Sequence, residues 1–252
     1  MNLSTFLAML ARDARVARRN FLVLLLQNLL QPMMFVFIFG RVMTTSGFLP
    51  EHYKSLLLPG IIAISMLLSG IQSVALPLVS DFQFSREIED RLLAPITVEW
   101  VALEKVVAGM IQGLVAGAIV VPTAWLVMGH VQIAFHNVPE LVVLALLVAA
   151  LASSVGLTLG STVAPHQIGL MFTLALGPMI FFGCTYYPWS ALAAFPVLQK
   201  LVLINPVVYA SEGFRSALVP QFPHLSHAVI YGGLSAAVAL FLALGLRQFR
   251  KK

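Results

Sequence analysis

Six long apolar stretches divide this chain of 252 residues. They run over residues 21–40, 55–80, 103–128, 141–163, 167–187 and 228–246, and they contain very few ionisable side chains. An α-helix needs about 20 residues to cross a hydrocarbon layer of about 30 Å. The pattern therefore predicts six membrane-spanning helices.

The composition agrees with a membrane protein. Hydrophobic residues make up 60% of the chain and charged residues 10%, whereas soluble domains carry about 25% charged residues. The apolar stretches are too continuous for the alternating pattern of a membrane β-barrel. We therefore expect a single all-α integral membrane domain over residues 1–252, in which the lone cysteine, Cys184, packs as a small apolar residue.

Basic residues indicate on which side of the membrane each loop lies. Of the fifteen Lys and Arg, eleven lie before the first stretch, between the second stretch and the start of the third, or after the last. The other four are Arg41, Lys54, Lys200 and Arg215. Because positive residues favour the cytoplasmic side, both termini are predicted to be cytoplasmic. The same distribution accounts for the net charge of +5, so we expect no nucleic-acid partner.

Residues 1–20 predict an amphipathic helix that lies on the membrane surface. Leu3, Phe6, Leu7 and Leu10 follow i, i+3, i+4, i+7 spacing, while most of the charged residues project elsewhere. Such a helix lies in the headgroup plane with its apolar face down. Its function is either to anchor the chain or to transmit motion to the first span.

Residues 82–95 join the second and third stretches and contain the densest group of charges. Phe84, Ile88 and Leu92 recur at i, i+4 and form one apolar stripe, with charged residues on the other faces. Pro95 ends the helix, because the residue before a proline avoids the helical region. The pattern predicts a short amphipathic helix on the cytoplasmic surface, with a solvated loop as the alternative.

Three amides lie in the first stretch, at Gln27, Asn28 and Gln31. Amide side chains inside a bilayer need partners, so this part of the helix is expected to face protein. Helix packing is one interpretation, and lining of a substrate path is the other.

Residues 188–218 predict a re-entrant hairpin on the outer side. Two apolar-rich pieces, 191–204 and 207–218, are too short to span the bilayer. Tyr186, Tyr187 and Trp189 are aromatic residues of the kind found at headgroup level, and Asn205-Pro206 predicts a turn.

Two charges in the second piece, Glu212 and Arg215, are spaced to pair on one helix face. If exposed, such a pair contributes only about 0.3–0.5 kcal/mol. Partial burial would increase its importance.

The sequence lacks the motifs of a self-powered transporter or an enzyme. No lysine follows a glycine, so there is no P-loop, and no His-Glu-x-x-His or paired-cysteine spacing occurs. The six spans are expected to hold no buried acidic or basic residues, which disfavours an ion-coupled carrier. Energy is therefore expected to enter from another polypeptide, through residues 81–95.

The ordered combination of segments resembles the ABC-2 type permeases, the membrane subunits of bacterial ATP-binding-cassette exporters. It consists of the basic N-terminal helix, the six stretches, the run from Arg86 to Pro95, the Tyr-Tyr-Pro at 186–188 and the runs 205–209 and 213–215. Within the family, the chain is most similar to the small nodulation-factor (lipo-oligosaccharide) exporter permeases.

The resemblance implies a transport subunit of the bacterial inner membrane, not an enzyme in its own right. It implies a homodimer with two copies of an ATPase subunit, which would bind ATP and Mg, and no cofactor in this chain. The substrate would be an amphipathic glycolipid or lipo-oligosaccharide, or a drug in the alternative of multidrug efflux. The implied ATPase-coupling residues are Phe84, Arg86, Glu87, Ile88, Glu89, Asp90, Arg91, Leu92 and Pro95. The implied residues of the outer hairpin and exit are Tyr186, Tyr187, Pro188, Asn205, Pro206, Glu212 and Arg215.

Two other classes of function stay open at this point. A secondary carrier would move substrate with an ion gradient and no partner. A membrane scaffold would bind the ATPase without stimulating substrate-dependent hydrolysis.

Overall fold

The computed structural model describes residues 3–19, 26, 30, 32–81, 97–129, 131, 137–163 and 167–251. In this part of the chain every regular element is helical. The α-helices are α1 (Leu3–Arg19), α2 (Pro32–Thr45), α3 (Tyr53–Ser80), α4 (Val98–Met128), α5 (Val138–Thr162), α6 (Ile168–Met171), α7 (Gly177–Phe181), α8 (Pro196–Leu201), α9 (Pro206–Leu218) and α10 (His227–Phe249). The helix α2 includes a π-helical segment, Val36–Val42, and another, Phe172–Leu176, joins α6 to α7. Short 3-10 helices, Trp189–Ala194 and Val202–Ile204, flank α8.

Four of the described helices are long and apolar enough to cross a membrane, namely α3, α4, α5 and α10. They occupy the predicted stretches 55–80, 103–128, 141–163 and 228–246. The predicted first span, 21–40, is described at residues 26, 30 and 32–40, the last of which belong to α2.

The predicted fifth span, 167–187, is helical only from Ile168 to Phe181. At 1.5 Å per residue this run is about 20 Å long, which is shorter than a hydrocarbon layer. The chain then turns over residues 182–188. The structure therefore supports four spanning helices directly, and a count of six needs further evidence.

Helix α3 is the centre of the bundle. In its most apolar stretch 78% of the residues are buried, against 17% in the corresponding stretch of α10. It packs against α4, α5 and α9, while α10 packs mainly against α5. A helix that is apolar on all sides is expected at such a central position, and α10 instead leaves most of its surface for lipid.

Glycines allow α5 and the chain after α7 to approach α3 closely. A Cβ atom on Gly156 of α5 would lie 2.7 Å from the Ile71 carbonyl oxygen of α3. A Cβ atom on Gly60 of α3 would overlap the Thr185 carbonyl. Gly60 and Gly156 therefore lie on helix packing faces, as small residues do in other membrane bundles.

Two asparagines determine where helices begin. The Asn137 side chain accepts a hydrogen bond from the Glu140 amide at 3.3 Å and donates to the Glu140 carboxylate at 2.9 Å. At α9, the Asn205 side chain accepts from the Val207 amide at 3.1 Å, and Pro206 takes the first helical position. Asparagine before the first turn and proline within it are both favoured. Asn205-Pro206 thus forms the capped start of a helix.

Helix α1 lies against the beginning of α4. The rings of Phe6 and Trp100 meet edge to face, with centroids 6.1 Å apart. The end of α10 reaches the same region, where Arg250 pairs with Glu99 at 2.7 Å. We call this end of the bundle, formed by α1, Asp81, Glu99–Lys105 and Phe249–Arg250, the terminal end.

Candidate functional site

The opposite end of the bundle carries the predicted hairpin. Tyr53 at the start of α3, the loop 182–188, helices α8 and α9 and the loop 219–226 lie there. We call it the hairpin end. The predicted coupling residues Phe84, Arg86, Glu87, Ile88, Glu89, Asp90, Arg91, Leu92 and Pro95 lie outside the described residues, and so do Gln27, Asn28 and Gln31.

Glu212 and Arg215 form a buried ion pair at the hairpin end. Both side chains are fully inaccessible to solvent, and the Arg215 guanidinium donates to Glu212 Oε1. Of the two alternatives that the sequence leaves open, exposure and burial, the structure shows burial. Burial occurs because the loops on either side of α9 fold over it. A buried pair of this kind is costly to break, since one charge would be left without a partner.

The Glu212 carboxylate also accepts two backbone hydrogen bonds. The Trp189 amide donates to Oε1 at 2.9 Å, and the Leu225 amide donates to Oε2 at 3.0 Å. One belongs to the segment before α8 and the other to the loop after α9. Glu212 therefore connects both loops of the hairpin end to α9.

Arg215 connects the same helix to two further segments. Its Nη2 atom donates to the Cys184 carbonyl at 3.0 Å and lies 3.5 Å from the Leu56 carbonyl of α3. The Leu56 carbonyl lies in the turn where Pro59 removes a backbone hydrogen bond of α3. The buried pair thus links α3, the loop after α7, the start of the hairpin and the loop after α9.

Cys184 has an unusual backbone conformation within this network. Its φ angle is 52°, in the left-handed region that non-glycine residues rarely adopt. The side chain is a free, buried cysteine, and the carbonyl is the one that Arg215 binds. Such a conformation persists only where the surrounding contacts enforce it, and Arg215 supplies one of those contacts.

Aromatic residues attach α2 and α3 to the loop after α7. The Tyr53 hydroxyl donates to the Tyr186 carbonyl at 2.6 Å. The Tyr186 ring lies 4.6 Å from the ring of Phe35 and 6.1 Å from that of Phe39, both in α2. Tyr187 donates its hydroxyl to the Phe181 carbonyl at 2.9 Å. The predicted aromatic residues therefore bind protein groups as well as occupying the hairpin end.

The hairpin itself is closed by side-chain to backbone hydrogen bonds. Trp189 Nε1 donates to the Gln199 carbonyl at 3.0 Å, and Gln199 Nε2 returns a bond to the Trp189 carbonyl at 3.3 Å. Asn205 Nδ2 donates to the Met179 carbonyl at 2.8 Å. Pro188 precedes the first 3-10 turn in extended conformation. These bonds fix the hairpin relative to α7.

Tyr209 of α9 closes the turn that precedes its own helix. Its hydroxyl donates to the Leu203 carbonyl at 2.6 Å. Burial raises the pKa of the Tyr209 phenol above its ordinary value, so the hydroxyl keeps its proton and remains a donor at neutral pH.

A second charged cluster lies at the terminal end. Lys105 Nζ contacts Asp13 of α1 at 2.6 Å and lies 3.9 Å from Asp81 at the end of α3. The Lys105 side chain is 6% exposed, and the neighbouring Glu104 is completely buried. The interpretation that the spans hold no buried charge is therefore wrong for the first turns of α4.

The sequence offered only an indirect signal for this cluster. Glu104 and Lys105 stand at the very start of the predicted third span, and the sequence alone indicates Lys105 only as one of the basic residues on the cytoplasmic side. Nothing in the spacing of Asp13, Asp81 and Lys105 along the chain indicates that they meet. Their contact depends on how α1 lies across α4.

The two clusters fasten segments together. At the hairpin end one pair holds four segments, and at the terminal end Lys105 joins α1 to the two helix ends that flank residues 82–96.

The comparisons with known proteins agree with this architecture. The chain is similar to proteins named inner membrane transport permease YadH from Escherichia coli strain K12 and from Shigella flexneri. Each is 28% identical over 209 residues, which cover 78% of this chain and 77% of the relative. The family model described as ABC-2 type transporter matches residues 4–219, from α1 to the residue after α9. The chain therefore belongs to the ABC-2 type transporter family, whose members are transmembrane subunits of ABC transporters that work with a separate ATPase.

Proposed function

We propose that this protein is the permease subunit of an ATP-binding-cassette exporter in a bacterial inner membrane. It moves an amphipathic substrate, a glycolipid or lipo-oligosaccharide or a drug, outward with ATP that a separate subunit hydrolyses. The observation that carries this proposal is the family match over residues 4–219. The name of the similar permeases, which places them in the inner membrane, supports the location.

In this proposal the chain crosses the membrane six times. The first span continues from residue 21 into α2, and the fifth comprises residues 167–187. Helices α8 and α9 have six and thirteen residues, which is too short to cross, and this supports a re-entrant hairpin over 188–218. The hairpin end faces outward and the terminal end faces the cytoplasm, in accord with the excess of basic residues near both termini.

The ATPase docks on residues 82–95 in this proposal. The segment lies between Asp81 and Thr97, and the described residues Asp81 and Glu99 on either side of it belong to the terminal end of the bundle. Lys105 ties Asp13 and Asp81 together at this position. Helix α1 is thereby held next to the docking segment, and movement of the ATPase would reach α1, α3 and α4 at once.

Two permease copies and two ATPase copies complete the transporter. The ATPase subunits bind ATP and Mg, and the substrate path passes Gln27, Asn28 and Gln31. The exposed apolar side chains of α2 support a further protein or lipid neighbour beside this helix, since Met34, Phe37 and Ile38 are between 43% and 57% exposed.

The test is a charge reversal in the docking segment. Glu89→Lys and Asp90→Lys should each reduce co-purification of the tagged permease with its ATPase and reduce transport, while membrane insertion stays intact. Glu51→Lys is the matched control, because Glu51 is 77% exposed and lies in the loop before α3. It should leave co-purification unchanged.

Two results would contradict the proposal. One is unchanged ATPase binding and transport in both docking-segment variants. The other is ATP hydrolysis by the purified permease alone, since a permease without a nucleotide site should hydrolyse none.

A further inference from the structure

An apolar groove of about 270 Å³ lies between α3, α4, α5 and α9. Its floor consists of Ile62 and Met66 of α3 and Phe214 of α9, each at most 5% exposed. All of its lining residues are aliphatic, aromatic or glycine. The lining residues therefore offer no polar side chain to a ligand.

Small residues on the walls keep the groove open. Gly117 and Ala118 of α4 face Ala145 of α5 across it. Ala118 and Val142 are exposed at its rim, so the groove opens sideways, toward the medium around the bundle. At the depth of α4 and α5 that medium is the hydrocarbon of the bilayer.

The groove extends along the depth of one leaflet. On α4 it runs from Leu114 to Val121, roughly 20 to 10 Å below the hairpin end of that helix at 1.5 Å per residue. On α5 it runs from Leu141 to Ala145, roughly 5 to 10 Å below the same end. The groove is therefore about 10 Å long on α4, which fits within one leaflet of a hydrocarbon layer of about 30 Å.

We infer that this groove binds one acyl chain of a phospholipid from the leaflet on the hairpin side. A water molecule would find no hydrogen-bond partners among these apolar side chains. An empty groove would lose the dispersion contacts that its lining atoms could make. An additional helix is about 10 Å wide. A piece of such a helix about 10 Å long would occupy several times the volume of the groove. An acyl chain fits the polarity, the direction and the depth.

The bound acyl chain would pack against α9. Phe214 on the floor directly precedes Arg215, which fastens α9 to α3 and to the loop after α7. Lipid in the groove would therefore contact a face of α9 next to the one that carries the buried pair. The inference requires that α3, α4 and α5 cross the bilayer, and it does not depend on the substrate or direction of transport.

The experiment uses the full chain in nanodiscs that contain phosphatidylcholine with a photoreactive diazirine in the middle of one acyl chain. After irradiation, mass spectrometry should find labelled peptides concentrated at the groove residues of α4 and α5, above the labelling of the exposed residues Leu240 and Leu244 of α10. Ala118→Phe fills the groove and should abolish this excess. Ala239→Phe, on the exposed surface of α10, is the matched control and should retain it.

Several results would overturn the inference. Labelling spread evenly over all exposed helix surfaces would mean that the groove holds no particular lipid, and this readout needs only the unaltered protein. An excess that survives in Ala118→Phe, or in Ala145→Leu should the first variant fail to fold, would also contradict it. Disulfide formation by Ala118→Cys between two chains would show that a second copy covers the groove instead.

Discussion

The Glu212 carboxylate lies where three separate parts of the chain meet. It accepts from Arg215 on its own helix and from the backbone amides of Trp189 and Leu225. Removing two charges from water is costly, and only close partners compensate for it. Here every partner of the carboxylate is fixed by a different segment, so the pair confers specificity on the geometry of the hairpin end.

This geometry predicts that reversing the pair will not restore stability. In the double variant Glu212→Arg, Arg215→Glu an ion pair can still form, but a cation would face two amide donors and a carboxylate would face the Cys184 carbonyl. Each single variant, Glu212→Ala or Arg215→Ala, should cost about 3–5 kcal/mol. The reversed pair should be as unstable as the singles when thermal unfolding is measured in detergent.

The chain contains a matched control for this prediction. Glu51 and Lys54 form a pair with the same i, i+3 spacing and a distance of 2.9 Å, but Glu51 is 77% exposed. Exposed pairs contribute about 0–1 kcal/mol, so their reversal should shift the melting temperature little. If the reversed Glu212–Arg215 pair recovers full stability, the backbone hydrogen bonds carry little weight and our account of the hairpin end is wrong.

At the scale of elements, the packing of α3 depends on residues without side chains. Gly156 places the backbone of α5 against the Ile71 carbonyl of α3, 2.7 Å from where a Cβ atom would stand. A Cβ atom on Gly232 of α10 would instead have open space around it. In a free helix, alanine is more favourable than glycine by about 0.5–1 kcal/mol. The two positions should therefore respond to the same substitution with opposite signs.

We predict that Gly156→Ala destabilises the protein and Gly232→Ala does not. The added methyl group at 156 must push α5 away from backbone atoms of α3, and overpacking of this kind costs about 1–3 kcal/mol. At 232 the helix propensity alone acts, so stability should stay equal or rise. Thermal unfolding of both variants in the same detergent compares them, and equal shifts would mean that the α3–α5 contact is looser than the structure shows.

Sequence patterns predict the helices better than the contacts between them. The long apolar runs predict α3, α4, α5 and α10, because an apolar run of this length in a chain with 10% charged residues has few structures open to it other than a membrane-spanning helix. They do not indicate the π-helical segment Phe172–Leu176 inside the predicted fifth span, because local backbone geometry decides it. The i, i+3 spacing of Glu212 and Arg215 indicated a pair, but its burial depends on loops more than ten residues away in sequence.

At the scale of the whole molecule, the two ends differ in the charges they hold. The terminal end contains Arg250 paired with Glu99, and Lys105 between Asp13 and Asp81. The hairpin end buries the Glu212–Arg215 pair and exposes apolar residues of the hairpin, including Phe195, Val197 and Ile204, which are 64% to 81% exposed. The proposed orientation depends instead on the excess of Lys and Arg near both termini in the sequence, because basic segments are retained on the cytoplasmic side.

Cysteine labelling tests that orientation directly, since the native Cys184 is completely buried and should not react. Ser46→Cys and Gln221→Cys introduce thiols at exposed positions of the hairpin end, and Lys251→Cys introduces one at the terminal end. In intact spheroplasts, a membrane-impermeant maleimide should label the first two variants and not the third. Permeabilised cells should label all three, which controls for folding and accessibility. Labelling of Lys251→Cys in intact spheroplasts would mean that the protein has the opposite orientation in the membrane. Residues 82–95 would then lie on the side where no ATPase can reach them.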